Sequence, residues 1–285
     1  HYTRHIKISS DMRRHLYALL LGVAAAVLLA SPIQAASRKS SKSSVTAQAV
    51  YAVDYTNRKV LYAKNHRHKL YPASTVKLLT ALVVLDNKDL QDRVTVSSKA
   101  VNVEPTKAGL GLGVSYTTQD LLEVLLATSA NDAAVALAQA VAGSEAGFAR
   151  LMNRKAKALG MKDSHFTNAT GLPDRSQVTS AYDMAILTRA AFSNSFIKEV
   201  MAKRSVTIAG SDGRKITRTN HNKLLWRLSD PQVLGKTGYT RAAGHCYAGI
   251  AYYDDKRVSF VILKSRKPWA DIYALLGVPR RTKRR

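Results

Sequence analysis

Two segments of this chain, Ser74–Lys77 and Ser195–Lys198, place a serine three positions before a lysine. On a helix, residues three apart lie on the same face, so the amine can reach the hydroxyl. A serine hydroxyl is a weak nucleophile that needs an adjacent base. A lysine can be that base only when its amine is neutral, which burial and a nearby positive charge favour. The spacing therefore indicates nucleophilic catalysis by serine.

The sequence around the two segments distinguishes them. Ser74 follows Pro72-Ala73 and begins an apolar run that is long enough for a helix. The N-terminus of such a helix offers backbone N–H groups and positive potential to a developing oxyanion. The second segment is followed by Glu199 and Arg204, which is typical of a solvated face. We therefore predict Ser74 as the nucleophile and Lys77 as its general base.

A second motif, Ser129-Ala130-Asn131, lies between two apolar segments that we predict to be helices. By itself it is compatible with an ordinary helix junction capped by the asparagine. As part of a catalytic site, Ser129 would relay a proton to the leaving amine, and Asn131 would hold the substrate amide.

A third motif, Lys236-Thr237-Gly238, ends a predicted strand and is by itself compatible with a strand that exits into a turn. As part of a site, Lys236 and Thr237 would bind a terminal carboxylate of the substrate. Lys236 would also supply the positive charge near Lys77. Gly238 would let the substrate backbone come close, because it has no side chain. The N–H of Tyr239 would join that of the nucleophile in an oxyanion hole.

The three motifs, in this order, resemble those of the low-molecular-mass penicillin-binding proteins, the serine D-Ala-D-Ala carboxypeptidases of the peptidase S11 type. The likeness runs from about Val45 to Gly277. The segments that carry it are PASTVKLLTAL at 72–82, SANDAA at 129–134, TNATGL at 167–172 and GKTGYT at 235–240. The resemblance implies the β-lactamase/penicillin-binding transpeptidase-like fold.

The resemblance also implies a hydrolase that cuts peptidoglycan stem peptides through an acyl-enzyme, with β-lactam antibiotics as covalent inhibitors and without cofactor or metal. We expect a D-Ala-D-Ala carboxypeptidase. The alternatives are a D-alanyl-D-alanine endopeptidase that opens cross-links and a catalytically silent wall-binding protein. The short sequence after Gly238 favours a single-domain member, similar to the endopeptidases. None of the four glutamates lies in the E-x-x-x-N pattern of class A β-lactamases, so we expect slow deacylation of penicillin.

The elements that must position these motifs indicate an α+β fold, an antiparallel sheet built from both termini with a helical lobe inserted between them. The predicted strands are 45–54, 59–62, 94–96, 205–208, 215–218, 233–236, 246–253 and 258–263, with Asp254-Asp255 as a tight hairpin turn. The predicted helices are 74–85, 118–126, 131–142, 148–159, 181–192 and 270–276.

Residues 12–36 are typical of a secretory signal peptide, with a basic start, a 15-residue apolar run and small residues at Ala35 and Ala36. That run is shorter than the roughly 20 residues of a membrane span, although an uncleaved anchor remains the alternative. We interpret residues 1–11 as an upstream extension and 37–44 as a flexible basic lead. Residues 45–277 would form the peptidase domain, and 278–285 a basic tail.

The charge is strongly positive, with 44 basic against 19 acidic residues and a net +25. Loss of residues 1–35 would remove four basic and one acidic residue and leave +22, so the basicity belongs to the exported part. We expect a periplasmic or wall-associated protein that is attracted to anionic wall polymer or lipid. Export argues against nucleic acid as a partner.

Other candidate residues carry weaker signals. The single cysteine, Cys246, excludes an internal disulfide and suggests a small buried side chain. The eight histidines form no H-E-x-x-H pattern, and the chain has no G-x-S-x-G segment. We interpret the histidines as structural or surface residues, with His245 facing the site. Trp226 and Trp269 are expected in the core.

Overall fold

The computed structural model describes residues 45–228, 231–253 and 255–278. Within these ranges the strands are β1 (Ala49–Asp54), β2 (Lys59–Lys64), β3 (Arg93–Thr95), β4 (Ser115–Thr117), β5 (Ser205–Ala209), β6 (Lys215–Thr219), β7 (Gln232–Thr240), β8 (Gly244–Tyr252) and β9 (Arg257–Ser265). The helices are α1 (Lys77–Leu85), α2 (Ser98–Val101), α3 (Thr118–Thr128), α4 (Asn131–Ala142), α5 (Glu145–Leu159), α6 (Ala181–Phe192), α7 (Ser195–Ala202), α8 (Leu224–Arg227) and α9 (Pro268–Leu276).

The main sheet has the strand order β2-β1-β9-β8-β7, and every neighbouring pair is antiparallel. The first and last strands of the chain therefore lie side by side, with Ala49 opposite Leu263 and Asp54 opposite Val258. Two small ribbons, β3–β4 and β5–β6, lie outside this sheet. This topology confirms the prediction of an antiparallel sheet completed by both termini with helices between them.

Helix α1 lies at the centre of the larger core because almost all of its side chains are apolar. Leu78, Leu79 and Val84 are fully buried. Each such side chain contributes roughly 1.5–3 kcal/mol through the hydrophobic effect. Helices α3, α4, α5 and α6 pack against α1, and α6 also lies on the sheet across β1, β8 and β9. The Ser74–Lys77 segment therefore leads directly into a fully packed part of the core.

The opposite face of the sheet is covered by α9, whose buried Ile272 and Tyr273 pack with Val50 and Phe260 in a second core. The Asp271 carboxylate holds this helix to the start of β1 by accepting the N–H groups of Thr46 and Ala47, both at 2.9 Å. The helix that covers this face is thus attached to the first residues that the structure describes.

Several predicted boundaries are confirmed, and others are wrong for identifiable reasons. Helices 131–142 and 181–192 have the bounds that the sequence predicts. Helix α5 begins three residues before the predicted start, because Ser144 caps it by accepting the N–H of Gly147 at 3.0 Å. Trp226 was expected in the core and is instead 45% exposed. Helix α7 has no counterpart among the predicted elements.

The predicted end of strand β7 at Lys236 is wrong. The strand continues to Thr240, because each residue from Thr237 to Thr240 has an antiparallel partner in β8. The third motif is therefore part of a strand and not of a turn.

Residues 1–44, Asp254 and 279–285 lie outside the described residues, so the signal peptide, the basic lead and the hairpin turn at Asp254 stay predictions. The basic tail lies outside them as well, apart from Val278. Among the helices that are described, none combines the length and hydropathy needed to cross a bilayer.

Candidate active site

Ser74 lies in one turn of 3-10 helix, Ala73–Val76, directly before α1. Ala73 enters this turn with φ +48°, a conformation that L-residues rarely adopt. The Thr75 hydroxyl donates to the carbonyl of Pro72 at 2.6 Å. A Cβ on Gly171 would lie 2.0 Å from the carbonyl oxygen of Ala73, so only glycine fits behind the turn. The turn is thus held from two sides with the serine half-buried at its surface.

Lys77 is fully buried directly behind the serine. Its Nζ lies 2.9 Å from Ser74 Oγ and 2.7 Å from Asn131 Oδ1, and it also donates to the carbonyl of Thr170. A neutral amine has two N–H groups and one lone pair. In the structure Nζ also donates to Ser74 Oγ, as an ammonium does. In the neutral amine, the amide oxygen and the carbonyl would take the two N–H groups and leave the lone pair for the serine hydroxyl. This is the arrangement that a serine nucleophile requires when a neighbouring lysine is its general base.

Burial lowers the pKa of Lys77 well below its ordinary value, and the positive charge of Lys236 lowers it further. The Asp132 carboxylate acts in the opposite direction and raises this pKa. The neutral form of Lys77 is therefore accessible at a lower pH than for a solvated lysine. Lys236, which the sequence suggested as the nearby positive charge, therefore lies close enough to lower the pKa of Lys77.

The second motif joins α3 to α4. Ser129 is the C-cap of α3 in the left-handed conformation, with φ 65°, and its buried Oγ has no hydrogen-bond partner among the described residues. Asn131 opens α4 and, besides accepting from Lys77, donates through Nδ2 to the carbonyl of Glu104 at 2.8 Å. An unpaired buried hydroxyl costs free energy, so Ser129 Oγ has an unused hydrogen-bonding capacity among the described residues.

Asp132 is a part of the site that the sequence reasoning missed. Its buried carboxylate accepts the N–H groups of Ala108, Gly109 and Leu110 at 2.9, 2.9 and 3.1 Å. The N–H of Asn131 also donates to the carbonyl of Thr106 at 2.7 Å. These bonds hold the loop before β4 beside the nucleophile. The available signal was an aspartate directly after the second motif, together with a glycine-rich loop.

Lys236 lies in the middle of β7 and is 1% exposed, with Nζ donating to the carbonyl of Thr237 at 3.0 Å. Burial lowers the pKa of Lys236 to about 7. A Cβ on Gly238 would lie 2.9 Å from the amide nitrogen of Ser74. We expected this glycine to admit the substrate backbone, and in the structure it admits the nucleophile turn against β7.

A cavity of about 330 Å³ opens between these elements. Ser74, Ser129, Thr237, Gly238 and Tyr239 line it, whereas Lys77, Asn131 and Lys236 form its buried back. The structure therefore brings all eight predicted site residues to one place. The chemical roles assigned to these residues stay predictions.

The rim of this cavity adds residues that carried little or no signal in the sequence. His245 lines the cavity, with its ring centroid 4.6 Å from that of Tyr239. His221 also lines it, and its pKa is lowered to about 4 by burial and by the charges of Lys236 and Lys77. Trp269, expected in the core, is half-buried at the same rim. These side chains form part of the rim of the cavity.

The second serine–lysine pair lies elsewhere. Ser195 and Lys198 are both exposed at the start of α7, and Lys198 Nζ lies 4.5 Å from the ring centroid of Tyr252. Across the described part of the chain, no group of three or more His, Cys, Asp or Glu side chains is placed to hold a metal ion.

Comparison with known proteins identifies, over most of the chain, the family that the three sequence motifs indicated. The family model described as "D-alanyl-D-alanine carboxypeptidase", peptidase S11, matches residues 35–267. The D-alanyl-D-alanine carboxypeptidase DacF of Bacillus subtilis is 31% identical over 271 residues, 90% of this chain and 67% of that protein. The D-alanyl-D-alanine endopeptidase of Escherichia coli is 31% identical over 233 residues, 80% of this chain and 74% of that protein.

The fold is shared with solved structures. A D-alanyl-D-alanine carboxypeptidase from Mycobacterium tuberculosis superposes with a TM-score of 0.76 and 31% identity, covering 82% of this chain and 90% of that chain. The likeness includes both the sheet from the two termini and the inserted helices, which confirms the expected penicillin-binding/β-lactamase type of fold.

Proposed function

Since this chain belongs to the D-alanyl-D-alanine carboxypeptidase family, we propose that it removes the terminal D-alanine of peptidoglycan stem peptides through an acyl-enzyme on Ser74. The observation that carries the proposal is the contact of 2.9 Å between Ser74 Oγ and Lys77 Nζ in a buried setting. It joins a nucleophile to a lysine whose pKa is lowered towards the range of a general base.

In the first half of the reaction, Lys77 accepts the proton of the Ser74 hydroxyl as Oγ attacks the carbonyl carbon of the penultimate D-alanine. The developing oxyanion would be held by the N–H groups of Ser74 and Tyr239. The C–N bond then breaks as the proton on Lys77 passes through Ser129 to the departing amine of D-alanine, which leaves Lys77 neutral again. Ser129 suits this relay because its buried Oγ is free of other partners among the described residues.

In the second half, water attacks the ester carbonyl, Lys77 takes a proton from the water, and Ser74 leaves with a proton as the free hydroxyl. Lys236 and Thr237 would hold the terminal carboxylate of the substrate before the cut. A charge-assisted hydrogen bond to a carboxylate is about twice as strong as a neutral one. Binding of the carboxylate would thus position the scissile bond along β7. Gly238 allows this strand to lie close to the Ser74 turn.

Peptidoglycan peptides as substrates and β-lactams as ligands both fit the family. A β-lactam would be opened by the same attack of Ser74. Because the chain has no glutamate in the E-x-x-x-N pattern, we propose that the resulting ester is hydrolysed slowly, so that penicillin inhibits the enzyme.

A second candidate is the endopeptidase reaction, which opens a cross-link instead of trimming an end. The specific observation in its favour is the likeness to the endopeptidase of Escherichia coli over 80% of this chain. The two reactions share the nucleophile and the acyl-enzyme. They differ in whether the departing group is free D-alanine or the side-chain amine of a neighbouring peptide.

Digestion of purified peptidoglycan separates the two reactions. A carboxypeptidase releases free D-alanine and leaves cross-linked dimers intact, whereas an endopeptidase depletes dimers without releasing D-alanine. Ser74→Ala, checked for folding by circular dichroism, is the matched control that should do neither. If the wild-type protein released no D-alanine and spared the dimers but still bound the wall, the silent wall-binding alternative would hold instead.

We further propose that the protein is exported and works in the periplasm or the wall. The supporting sequence features are the signal-like residues 12–36 and the net charge of +22 that would remain without residues 1–35. This charge suits attraction to an anionic wall polymer or lipid. Cell fractionation tests the proposal, because an activity confined to the cytoplasm would contradict it.

A further inference from the structure

A second and larger cavity, an open groove of about 960 Å³, lies away from the catalytic cavity. It is bounded by the end of α6, the start of α7 and the β8–β9 end of the sheet, and it shares no lining residue with the catalytic cavity. Both cavities border on β8, which supplies His245 to one and Tyr252 to the other. At about 3.3 Å per strand residue these two positions are roughly 23 Å apart, whereas the nearest lining positions on β8, Tyr247 and Ile250, are roughly 10 Å apart. We call this feature the α6–α7 groove.

Four cationic side chains line the α6–α7 groove, namely Arg189, Lys198, Lys256 and Arg257. Among the described residues, none of them is within ion-pair distance of a carboxylate. Asp255 is the one acidic residue among the described lining residues. Among the described residues, the lining of the groove therefore carries an excess of positive charge.

Two of these cations are held over aromatic rings in the same groove. The guanidinium carbon of Arg189 lies 5.1 Å from the ring centroid of Tyr55, and Lys198 Nζ lies 4.5 Å from that of Tyr252. Such cation–π contacts fix the direction of a long side chain without neutralising its charge. The Tyr55 hydroxyl is itself fixed, because it donates to the carbonyl of Ala185 at 3.1 Å. The positive groups are thus pre-positioned, which lowers the entropy cost of binding an anion.

The start of α7 adds hydrogen-bond donors to this charge. Asn194 caps the helix by accepting the N–H of Ile197, and the first N–H groups of a helix have no partner within it. The exposed Ser195 lines the groove next to these groups. Guanidinium, ammonium and hydroxyl donors on α6, α7 and the β8–β9 end of the sheet suit a phosphate, which accepts around a tetrahedron, better than a planar carboxylate.

We propose that the α6–α7 groove binds one segment of a linear phosphate-linked polymer, and so holds the enzyme on an anionic chain while the catalytic cavity remains open. A flat phospholipid surface fits less well, because the exposed large hydrophobic side chains of the described residues, Val60, Leu61, Leu112, Trp226 and Tyr239, all lie outside the groove.

The test uses the full-length protein, inorganic polyphosphate as the probe, and two variants that lose the same charge. The groove variant is Arg189→Gln with Lys198→Gln. The control is Arg154→Gln with Lys157→Gln, two exposed residues on α5 without ion pairs among the described residues. We expect the groove variant to bind polyphosphate about tenfold more weakly, with a log K against log salt slope smaller by roughly 1.4. The control should change less than about twofold.

Three further measurements complete the test. Asp255→Asn should strengthen polyphosphate binding, because it removes the acidic residue among the described lining residues. Release of D-alanine should be equal in the wild type and the groove variant, since the groove is remote from Ser74. Vesicles of anionic phospholipid should show no difference between the groove variant and the control. Equal weakening of polyphosphate binding in both double variants, or a groove-specific loss on vesicles alone, would overturn the proposal.

Discussion

The segments Ser74–Lys77 and Ser195–Lys198 have the same pair of functional side chains at the same spacing, and their local structure is similar. In both, a serine stands at the start of a helical segment with a lysine three residues later. In the first, the lysine is fully buried and its Nζ contacts Ser74 Oγ at 2.9 Å. In the second, the serine and the lysine are both exposed, and the ammonium lies over the ring of Tyr252.

The difference between the two segments comes from their surroundings and not from their own residues. The first is enclosed by a carbonyl from Thr170, an amide from Asn131 and a charge from Lys236, which belong to three other parts of the chain. Together, burial and that charge lower the pKa of Lys77. The second segment faces a groove where its charge stays available to an anionic partner. The same tetrapeptide spacing thus places a lysine in a buried polar setting in one case and on an exposed surface in the other.

The largest expected effect separates the two serines. Ser74→Ala should abolish covalent labelling by a fluorescent penicillin and lower D-alanine release by about 10⁶-fold, as expected for loss of a nucleophile. Ser195→Ala should leave both unchanged. Mass spectrometry of the labelled peptide gives the direct readout. A label that persists in Ser74→Ala would falsify the assignment of the nucleophile.

The next effect separates the two lysines. Lys77→Gln should slow acylation by penicillin by about 10²–10⁴-fold, the range that general-base catalysis contributes. Lys198→Gln, the matched change in the second segment, should leave the acylation rate within about twofold. Stopped-flow measurement of penicillin acylation, with circular dichroism to confirm folding, checks both variants. Similar rates for Lys77→Gln and the wild type would rule out Lys77 as the base.

The smallest effect concerns the charge that distinguishes the surroundings of the first segment. Because the pKa of Lys236 is lowered to about 7, this lysine is charged below pH 7 and neutral above it. Its neutral form would bind the substrate carboxylate weakly and would also cease to lower the pKa of Lys77. We therefore expect kcat/KM to fall by about tenfold per pH unit above pH 7, since this parameter reports ionisations of the free enzyme.

Lys236→Arg supplies the control for this profile, because arginine stays protonated throughout the range. Its absolute kcat/KM should be lower, since the buried position is shaped for an ammonium, but the decline above pH 7 should disappear. A decline of the same size in Lys236→Arg would assign the ionisation to a group other than Lys236.

The sequence predicts well those elements whose ends are marked by local chemistry. Helix α6 starts where Ser180 accepts the N–H of Asp183, and α4 ends at Gly143 in the left-handed conformation. Both signals act within a few residues, so they are visible in the sequence. The end of β7 is different. Thr237 and Gly238 have the composition of a turn, and only pairing with β8 and the fit of Gly238 against the nucleophile turn keep them in the strand.

The candidate site shows the same division. By itself the sequence determined which chemical groups are present, their order along the chain and, through the three motifs, the family. It did not reveal the role of Asp132 in holding the loop before β4, nor the α6–α7 groove. The sequence around the two identical spacings favoured Lys77, but only the tertiary structure supplies the groups that surround it. A pKa depends on solvent exclusion and on charges within a few ångströms, and those neighbours come from distant parts of the chain.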